Sequence, residues 1–168
     1  MKVFIGGSRN IKELDEEINQ VLFGELNSNA EILVGDADGV DTLIQQFCKN
    51  NNYDKVSVYA SNGKARNNVG KFNVKNIVVD KDTYSKQFFV KKDIAMTDDA
   101  DYGIVIWDGK SKGSLDQLYR MVKQNKPCRV YIFNDKRWVV IESEHAIKGI
   151  TSLKSTLESD SIQLSFAI

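Results

Sequence analysis

Apolar and polar stretches succeed one another along the chain in an order that predicts strands and helices in turn. Short apolar runs typical of buried strands are KVFI at 2–5, EILVG at 31–35, KVSVYA at 55–60, VKNIVV at 74–79, YGIVIW at 102–107 and CRVYIF at 128–133. Between these runs, apolar residues spaced by three and four predict helices over 11–26, 41–51, 86–100 and 115–125. Asn10 is the predicted N-cap of the first helix.

The alternation of strands and helices predicts the fold class. It favours right-handed crossovers and a mainly parallel sheet with helices on both faces, that is, a doubly wound α/β fold over residues 1–133. From residue 134 the pattern changes, and RWVVIES, TSLKSTLES and IQLSFAI predict an antiparallel edge strand, a short helix and a final strand. We expect residues 134–168 to form a C-terminal α/β extension packed on the same domain.

Three strands end in glycine-rich polar loops that lead directly into helices: IGGSRN, VGDADGVD and WDGKSKGS. The carboxyl ends of parallel strands share one edge of the sheet, and ligands bind at that edge in open α/β folds. Helix N-termini direct free amides and positive dipole ends to the same place. The predicted ligand-binding residues are Gly6, Gly7, Ser8, Arg9, Gly35, Asp36, Asp38, Gly39, Asp41, Trp107, Asp108, Gly109, Ser111, Gly113 and Ser114.

The side chains of the three loops suit different parts of a nucleotide. In the first loop, glycine amides, Ser8 and Arg9 can bind phosphate oxygens. The aspartates of the second loop suit ribose hydroxyls, although one of them, with Asp38 the favoured choice, could instead cap the following helix. In the third loop, Trp107 either stacks on a base or packs in the core.

Charge and composition narrow the class of partner. Lysine plus arginine and aspartate plus glutamate number 23 each, a balance that disfavours nucleic acid. Residues 64–92 hold eight basic residues and two acidic ones, forming either a solvated face or a patch in which Lys64 or Arg66 closes over a phosphate. Lys92 and Asp93 are a further candidate pair. No apolar run or leader predicts a membrane segment, and the separated cysteines fit a reducing cytoplasm. Neither a metal nor a cofactor is indicated.

The sequence resembles the SLOG superfamily, which includes the LOG phosphoribohydrolases, the DNA-uptake protein DprA and the small YspA-like proteins. FIGGSRN, VGDADGVDTL and KKDIAMTDDADYGIVIWDGKSKGS carry the likeness over roughly the first 133 residues. It is greatest with the YspA-like branch, which has a similar Gly-Ser-Arg start and Trp-Asp-Gly loop. The resemblance implies a Rossmann-like fold with a pocket for nucleotides or nucleotide-derived ligands. It also implies self-association, for which residues 88–89 and 162–168 could form a homo-oligomer interface or equally buried core.

One departure from the resemblance bears on activity. LOG enzymes carry a glutamate one helical turn after a glycine, and counting from Gly113 this position is Gln117, whose neutral amide cannot act as a nucleophile. We therefore favour a protein that binds a nucleotide-derived small molecule, such as an ADP-ribose-type signal, for sensing or sequestration. Two alternatives stay open: an N-glycosidase or deoxyribosyltransferase using Asp41 or Asp116 as its carboxylate, and DprA-like DNA binding.

Overall fold

The computed structural model describes residues 1–80 and 85–152, without the side chains of 85–87. The strands are β1 (Lys2–Gly7), β2 (Glu31–Val34), β3 (Val56–Ser61), β4 (Asn73–Ile77), β5 (Tyr102–Trp107), β6 (Cys128–Ile132) and β7 (Arg137–Ile141). The helices are α1 (Glu16–Asn27), α2 (Val40–Asn50), α3 (Ser85–Asp99) and α4 (Lys112–Lys123), followed by α5 over 144–152. None of the helices in this described part of the chain is both long and apolar enough to cross a membrane.

The strands form one sheet in the order β4-β3-β2-β1-β5-β6-β7. All neighbours are parallel except β7, which pairs antiparallel with β6 and so closes one end of the sheet. The predicted Rossmann-like α/β class and the antiparallel strand near residue 137 are thereby confirmed. The strand order reverses at β1, which pairs with β2 on one side and β5 on the other. A crevice at such a reversal is where ligands bind in open α/β sheets.

Two apolar clusters lie on opposite faces of the sheet because successive strand residues point to opposite sides. Val3 and Ile5 of β1 pack with α1 and α2, through residues such as Ile18 and Ile44. Phe4, between them, packs on the other face with α3, α4 and α5. Burial of both faces explains why β5 and β6 read as nearly continuous apolar runs.

The helix boundaries differ from the sequence prediction mainly in α1, which begins at Glu16 and not near residue 11. Asp15 is its N-cap, so the predicted cap at Asn10 is wrong. Ile11 is buried and Leu14 packs on the same cluster, but both lie in the loop that precedes the helix. Their apolar spacing therefore reflects burial of a loop, which periodicity cannot distinguish from a helix.

The C-terminal region is described only in part. A helix was predicted over 151–159, whereas α5 already begins at residue 144, with Ile147 and Ile150 buried in the core. The predicted final strand at 162–168 lies outside the described residues. The boundary between a domain at 1–133 and an extension at 134–168 stays a prediction.

Candidate ligand-binding cleft

The loops that follow β1, β2 and β5 meet at the carboxyl edge of the sheet around a cleft of about 960 Å³. Its walls include Arg9 from the first loop, Asp41 from the second and the segment from Lys110 to Gln117 from the third. The first two turns of α3 complete it, contributing Phe89 and Lys92 among others. The cleft thus lies at the reversal point of the strand order, and it unites residues from four separate parts of the sequence.

Ser8 joins the loops and does not face the cleft. It is fully buried, its amide donates to the Ile106 carbonyl over 3.0 Å, and its hydroxyl accepts a hydrogen bond of 3.0 Å from the Asp108 amide. The hydroxyl also lies 3.3 Å from Ser114 Oγ, and the Ser8 carbonyl accepts from the Val40 amide. These contacts support a structural role for Ser8, in place of the phosphate contact that the sequence suggested.

Position 7 requires glycine because the backbones of β1 and β5 approach each other closely there. A Cβ at this position would stand 2.1 Å from the Ile106 carbonyl oxygen, far inside van der Waals contact. Gly7 and Ser8 both contact the Ile106 backbone, and so they keep the ends of β1 and β5 close together. Gly7 therefore serves strand packing first.

Asp36 is neutralised by two cations. Its carboxylate lies 2.7 Å from Arg66 Nη2 and 3.2 Å from Lys92 Nζ, and it also accepts the Arg66 amide at 3.0 Å. Burial tends to raise the pKa of Asp36, but the hydrogen bonds from Arg66 and the charge of Lys92 hold that pKa below its ordinary value. Arg66 is thus engaged with a carboxylate, and Asp36 has little capacity left for the ribose hydroxyls that we had assigned to it.

Asp38 and Asp41 have different environments. Asp38 is exposed and accepts from Asn67 Nδ2 at 3.0 Å; the N-cap of α2 is Gly39, so the predicted cap at Asp38 is wrong. Asp41 lies in the first turn of α2, is buried, and accepts from the Ala37 amide at 3.1 Å. Burial raises the pKa of Asp41 to about 6, against the opposing effect of the Lys92 charge.

Gly35 lies directly beneath this charged cluster. A Cβ there would meet Asp41 Oδ2 at 2.2 Å and Lys92 Nζ at 2.9 Å. Lys92 is itself buried, and it contacts Asp93 at 3.4 Å in addition to Asp36. The predicted pair of Lys92 and Asp93 therefore belongs to the cleft wall.

In the third loop, Asp108 and Ser111 organise the start of α4. Asp108 Oδ1 accepts the amides of Lys110 and Ser111 at 2.8 Å each, and Ser111 caps the helix by accepting from the Ser114 amide. Burial acts to raise the pKa of Asp108, but these hydrogen bonds lower it below its ordinary value. Trp107 is buried and its indole donates to the Ser111 carbonyl at 3.0 Å, so the structure favours the core alternative left open for this residue.

Three of the exposed side chains that line the cleft are cationic, and Asp116 is an exposed acid in the same lining. Arg9, Lys110 and Lys112 are all exposed, all line the cleft, and none forms an ion pair with another described residue. We call these three residues the basic rim. Gly113 follows them, and a Cβ there would face open space, with only Ser111 Oγ near, at 4.0 Å. The binding roles predicted for these loop residues stay predictions.

Gln45 is the residue that sequence reasoning missed most clearly. It is fully buried; its amide donates to the carbonyls of Gly35 and Asn67, and its oxygen accepts from the Val69 amide. It thereby fastens the 62–72 segment to the second loop. The sequence signal that could have identified Gln45 is a polar residue directly after Ile44, on the predicted buried face of α2. Gln117, which the sequence singled out only for lacking a carboxylate, lines the cleft and is 8% exposed.

Comparisons with known proteins support the fold alone. No family model matches the chain, and no curated protein matches it. The solved structures include a match to DNA processing protein A from Helicobacter pylori, described as having a unique single-stranded DNA binding mode. The match has 18% sequence identity and a TM-score of 0.60, and it covers 95% of this chain and 81% of that chain. This chain is therefore similar in fold to DprA, a protein of the superfamily that its loops resemble, while the finer likeness to the YspA-like branch stays a prediction.

Proposed function

We propose that the cleft binds a nucleotide or a nucleotide-derived small molecule through its phosphate, for sensing or sequestration. The observation that carries this proposal is the basic rim: three exposed cations line the same cleft without an ion pair to any described residue. Unpaired cations beside the first turn of a helix favour an anionic group, because the helix dipole and the side chains act in the same direction. An ADP-ribose-type molecule is one member of this class.

The remaining walls suit the uncharged part of such a ligand. Phe89 and Val90 provide apolar surface, and the carboxylates of Asp93 and Asp116 can accept hydrogen bonds from hydroxyl groups. A volume of about 960 Å³ falls in the range typical of small-molecule sites. Lys92 and Arg66 contribute less to anion binding, since Arg66 is paired with Asp36 and Lys92 with both Asp36 and Asp93.

The proposal is tested by calorimetric titration of the purified protein with AMP, ADP-ribose and NAD. We expect binding to at least one of them, and a loss of about tenfold or more in affinity on Arg9→Ala or Lys110→Ala, since each removes a charge-assisted hydrogen bond to phosphate. Lys49→Ala is the matched control, because this exposed lysine lies in the last turn of α2, away from the cleft. Equal affinities in all variants would contradict the assignment of the rim.

Chromatography of the same mixtures separates binding from turnover. Recovery of intact nucleotide supports a binding protein, which is the function we favour. Release of free base would instead favour an N-glycosidase, with Asp41 as the carboxylate whose raised pKa lets it hold a proton near pH 6. Asp116 is exposed at the cleft and is the less suited of the two acids.

Single-stranded DNA is the second candidate ligand, and the fold likeness to DprA favours it. Phosphates of a strand could follow the basic rim, although the whole chain carries balanced charge. Fluorescence anisotropy with a labelled oligothymidylate distinguishes the two candidates. Strand binding that weakens steeply with salt, together with no mononucleotide binding, would replace the small-molecule proposal by DNA binding.

A further inference from the structure

The carboxamide of Gln117 stands out chemically among the buried groups of the molecule. Its oxygen Oε1 is the one buried side-chain polar atom without a hydrogen-bond partner among the side chains that the structure describes, those of residues 1–80 and 88–152. The residue is 8% exposed, lies one turn into α4 and lines the floor of the cleft. Oε1 lies against Gly6, 3.3 Å from the position that a Cβ on that glycine would occupy.

Leaving such an oxygen unpaired is costly, and nothing in its surroundings requires a polar side chain. A buried acceptor without a donor loses its hydration and gains no replacement, a penalty that an apolar residue of the same shape would avoid. The neighbouring inward residues of α4, Leu118 and Met121, are apolar and pack in the core. Of the two buried α4 residues that line the cleft, Ser114 has hydrogen-bond partners, whereas Gln117 keeps a destabilising unpaired oxygen.

We propose that Gln117 accepts a hydrogen bond from an N–H or O–H group on the uncharged part of the bound nucleotide, and so determines which nucleotide the cleft selects. The inference rests on the proposed function and deepens it. The basic rim binds the phosphate at the mouth, and Gln117 on the floor recognises the sugar or the base. The terminal χ3 torsion of glutamine is broad, so the carboxamide can rotate without moving the helix; a rotation that turns Oε1 from Gly6 toward the cleft carries Nε2 toward Gly6.

A neutral acceptor suits this position. Arg9, Lys110 and Lys112 attract a phosphate, and a carboxylate at position 117 would add to the negative charge of the aspartates that already line the cleft. An amide provides the acceptor oxygen without that charge. Gly113, one turn earlier on α4, adds no side chain between the mouth and the floor.

The test compares three nucleotides on wild type and Gln117→Met by calorimetry. AMP carries both a 2′-hydroxyl and a 6-amino group, 2′-deoxy-AMP lacks the first, and purine riboside 5′-monophosphate lacks the second. We expect wild type to bind one of the analogues about 5- to 100-fold more weakly than AMP, and Gln117→Met to bind that analogue and AMP equally. Gln117→Glu retains acceptor oxygens, so it should keep the ratio while weakening all three nucleotides.

Stability measurements separate recognition from a structural role. Because Oε1 has no partner to lose, Gln117→Met should have a thermal midpoint equal to or above that of wild type without nucleotide. Gln46→Met, at an exposed site on α2, is the matched control and should alter neither stability nor selectivity.

Two results would overturn the inference while the proposed function stands: AMP bound with rim dependence but no analogue preference in wild type, or the same preference in Gln117→Met. A fall in midpoint with unchanged selectivity would assign Gln117 a structural role. If AMP and both analogues fail to bind wild type, this inference is overturned, and the proposed function survives only on the other nucleotides of its panel.

Discussion

At the scale of single residues, Gly7 limits how the first loop can change. Alanine at this position would bring Cβ to 2.1 Å from the Ile106 carbonyl oxygen and force β1 and β5 apart. We expect Gly7→Ala to lower the free energy of unfolding by about 2–4 kcal/mol, as measured by urea denaturation.

A second glycine provides the control for that measurement. Gly24 lies in α1 with no atom near its missing Cβ. Gly24→Ala should therefore raise the free energy of unfolding by about 0.5–1 kcal/mol, since alanine loses less backbone entropy in a helix. If the two substitutions changed the free energy of unfolding equally, the close contact at Gly7 would not be the cause of the loss in Gly7→Ala.

Asp41 makes stability depend on pH in a defined direction. Its pKa in the folded protein is about 6, above the ordinary 3.8, so between these values the folded state holds a proton that the unfolded chain releases. The contribution of Asp41 to stability is therefore present below about pH 4 and is lost as pH rises through 6.

The variant Asp41→Asn removes this titration. We expect its free energy of unfolding, relative to wild type, to rise by up to about 3 kcal/mol between pH 4 and pH 7.5, at about 1.4 kcal/mol per pKa unit. Urea denaturation at the two pH values measures the change. If the free energies of unfolding of wild type and Asp41→Asn changed equally with pH, the Lys92 charge would offset the burial of Asp41 completely.

At the scale of elements, Arg66 attaches the 62–72 segment to the rest of the molecule. Its guanidinium contacts Asp36 and lies 4.1 Å from the centre of the Phe89 ring. Arg66→Ala should lower the free energy of unfolding by about 1–2 kcal/mol, a moderate value because the Arg66 side chain is about one-third exposed.

The neighbouring Lys64→Ala tests whether that loss belongs to the ion pair. Lys64 is exposed and has no ion pair with a described residue, so the substitution should change stability by no more than about 0.5 kcal/mol. Thermal unfolding of both variants is sufficient. Equal losses would indicate that the segment contributes through its charge and not through Asp36.

The strands and their loops could be predicted from sequence because both depend on local patterns. YGIVIW is apolar throughout and CRVYIF is apolar except for Arg129, as expected of strands covered on both faces, and glycines mark where the chain turns after a strand. The start of α1 could not be predicted, since Ile11 and Leu14 are buried in a loop with helix-like spacing.

The partners of the site residues were beyond sequence reasoning for a different reason. Asp36 meets Arg66 thirty positions away, and Ser8 meets Ser114 more than a hundred positions away. Contacts between residues so far apart in sequence can be predicted only when the order of the strands in the sheet is known. The sequence accordingly predicts ligand contacts for Ser8 and Asp36 and leaves Trp107 open between stacking and core, whereas the polar atoms of all three bond within the protein.

At the scale of the whole molecule, two buried thiols report on the two faces of the sheet. Cys48 belongs to the cluster beside α2 and Cys128 to the cluster on the opposite face. Burial raises the pKa of Cys48 to about 12 and that of Cys128 to about 11, so neither forms a thiolate readily.

We expect both thiols to resist an aromatic disulfide reagent in the native protein and to react together in urea, at the rate of global unfolding. Absorbance of the released aromatic thiol follows the reaction. The single variants Cys48→Ala and Cys128→Ala show which of the two cysteines gives each labelling rate. Faster labelling of Cys128 than of Cys48 would mean that the face carrying α4 and α5 opens separately.

Lys92 has a mechanical consequence for the cleft. Lys92 belongs to α3, on one face of the sheet. Asp36 lies in the loop before α2 and Asp41 in the first turn of α2, on the other face. Any sliding of one helical layer past the other would pull a buried ammonium away from its carboxylates. This ion pair therefore links the two helical layers beside the cleft, so the width of the cleft depends on a contact within the protein itself.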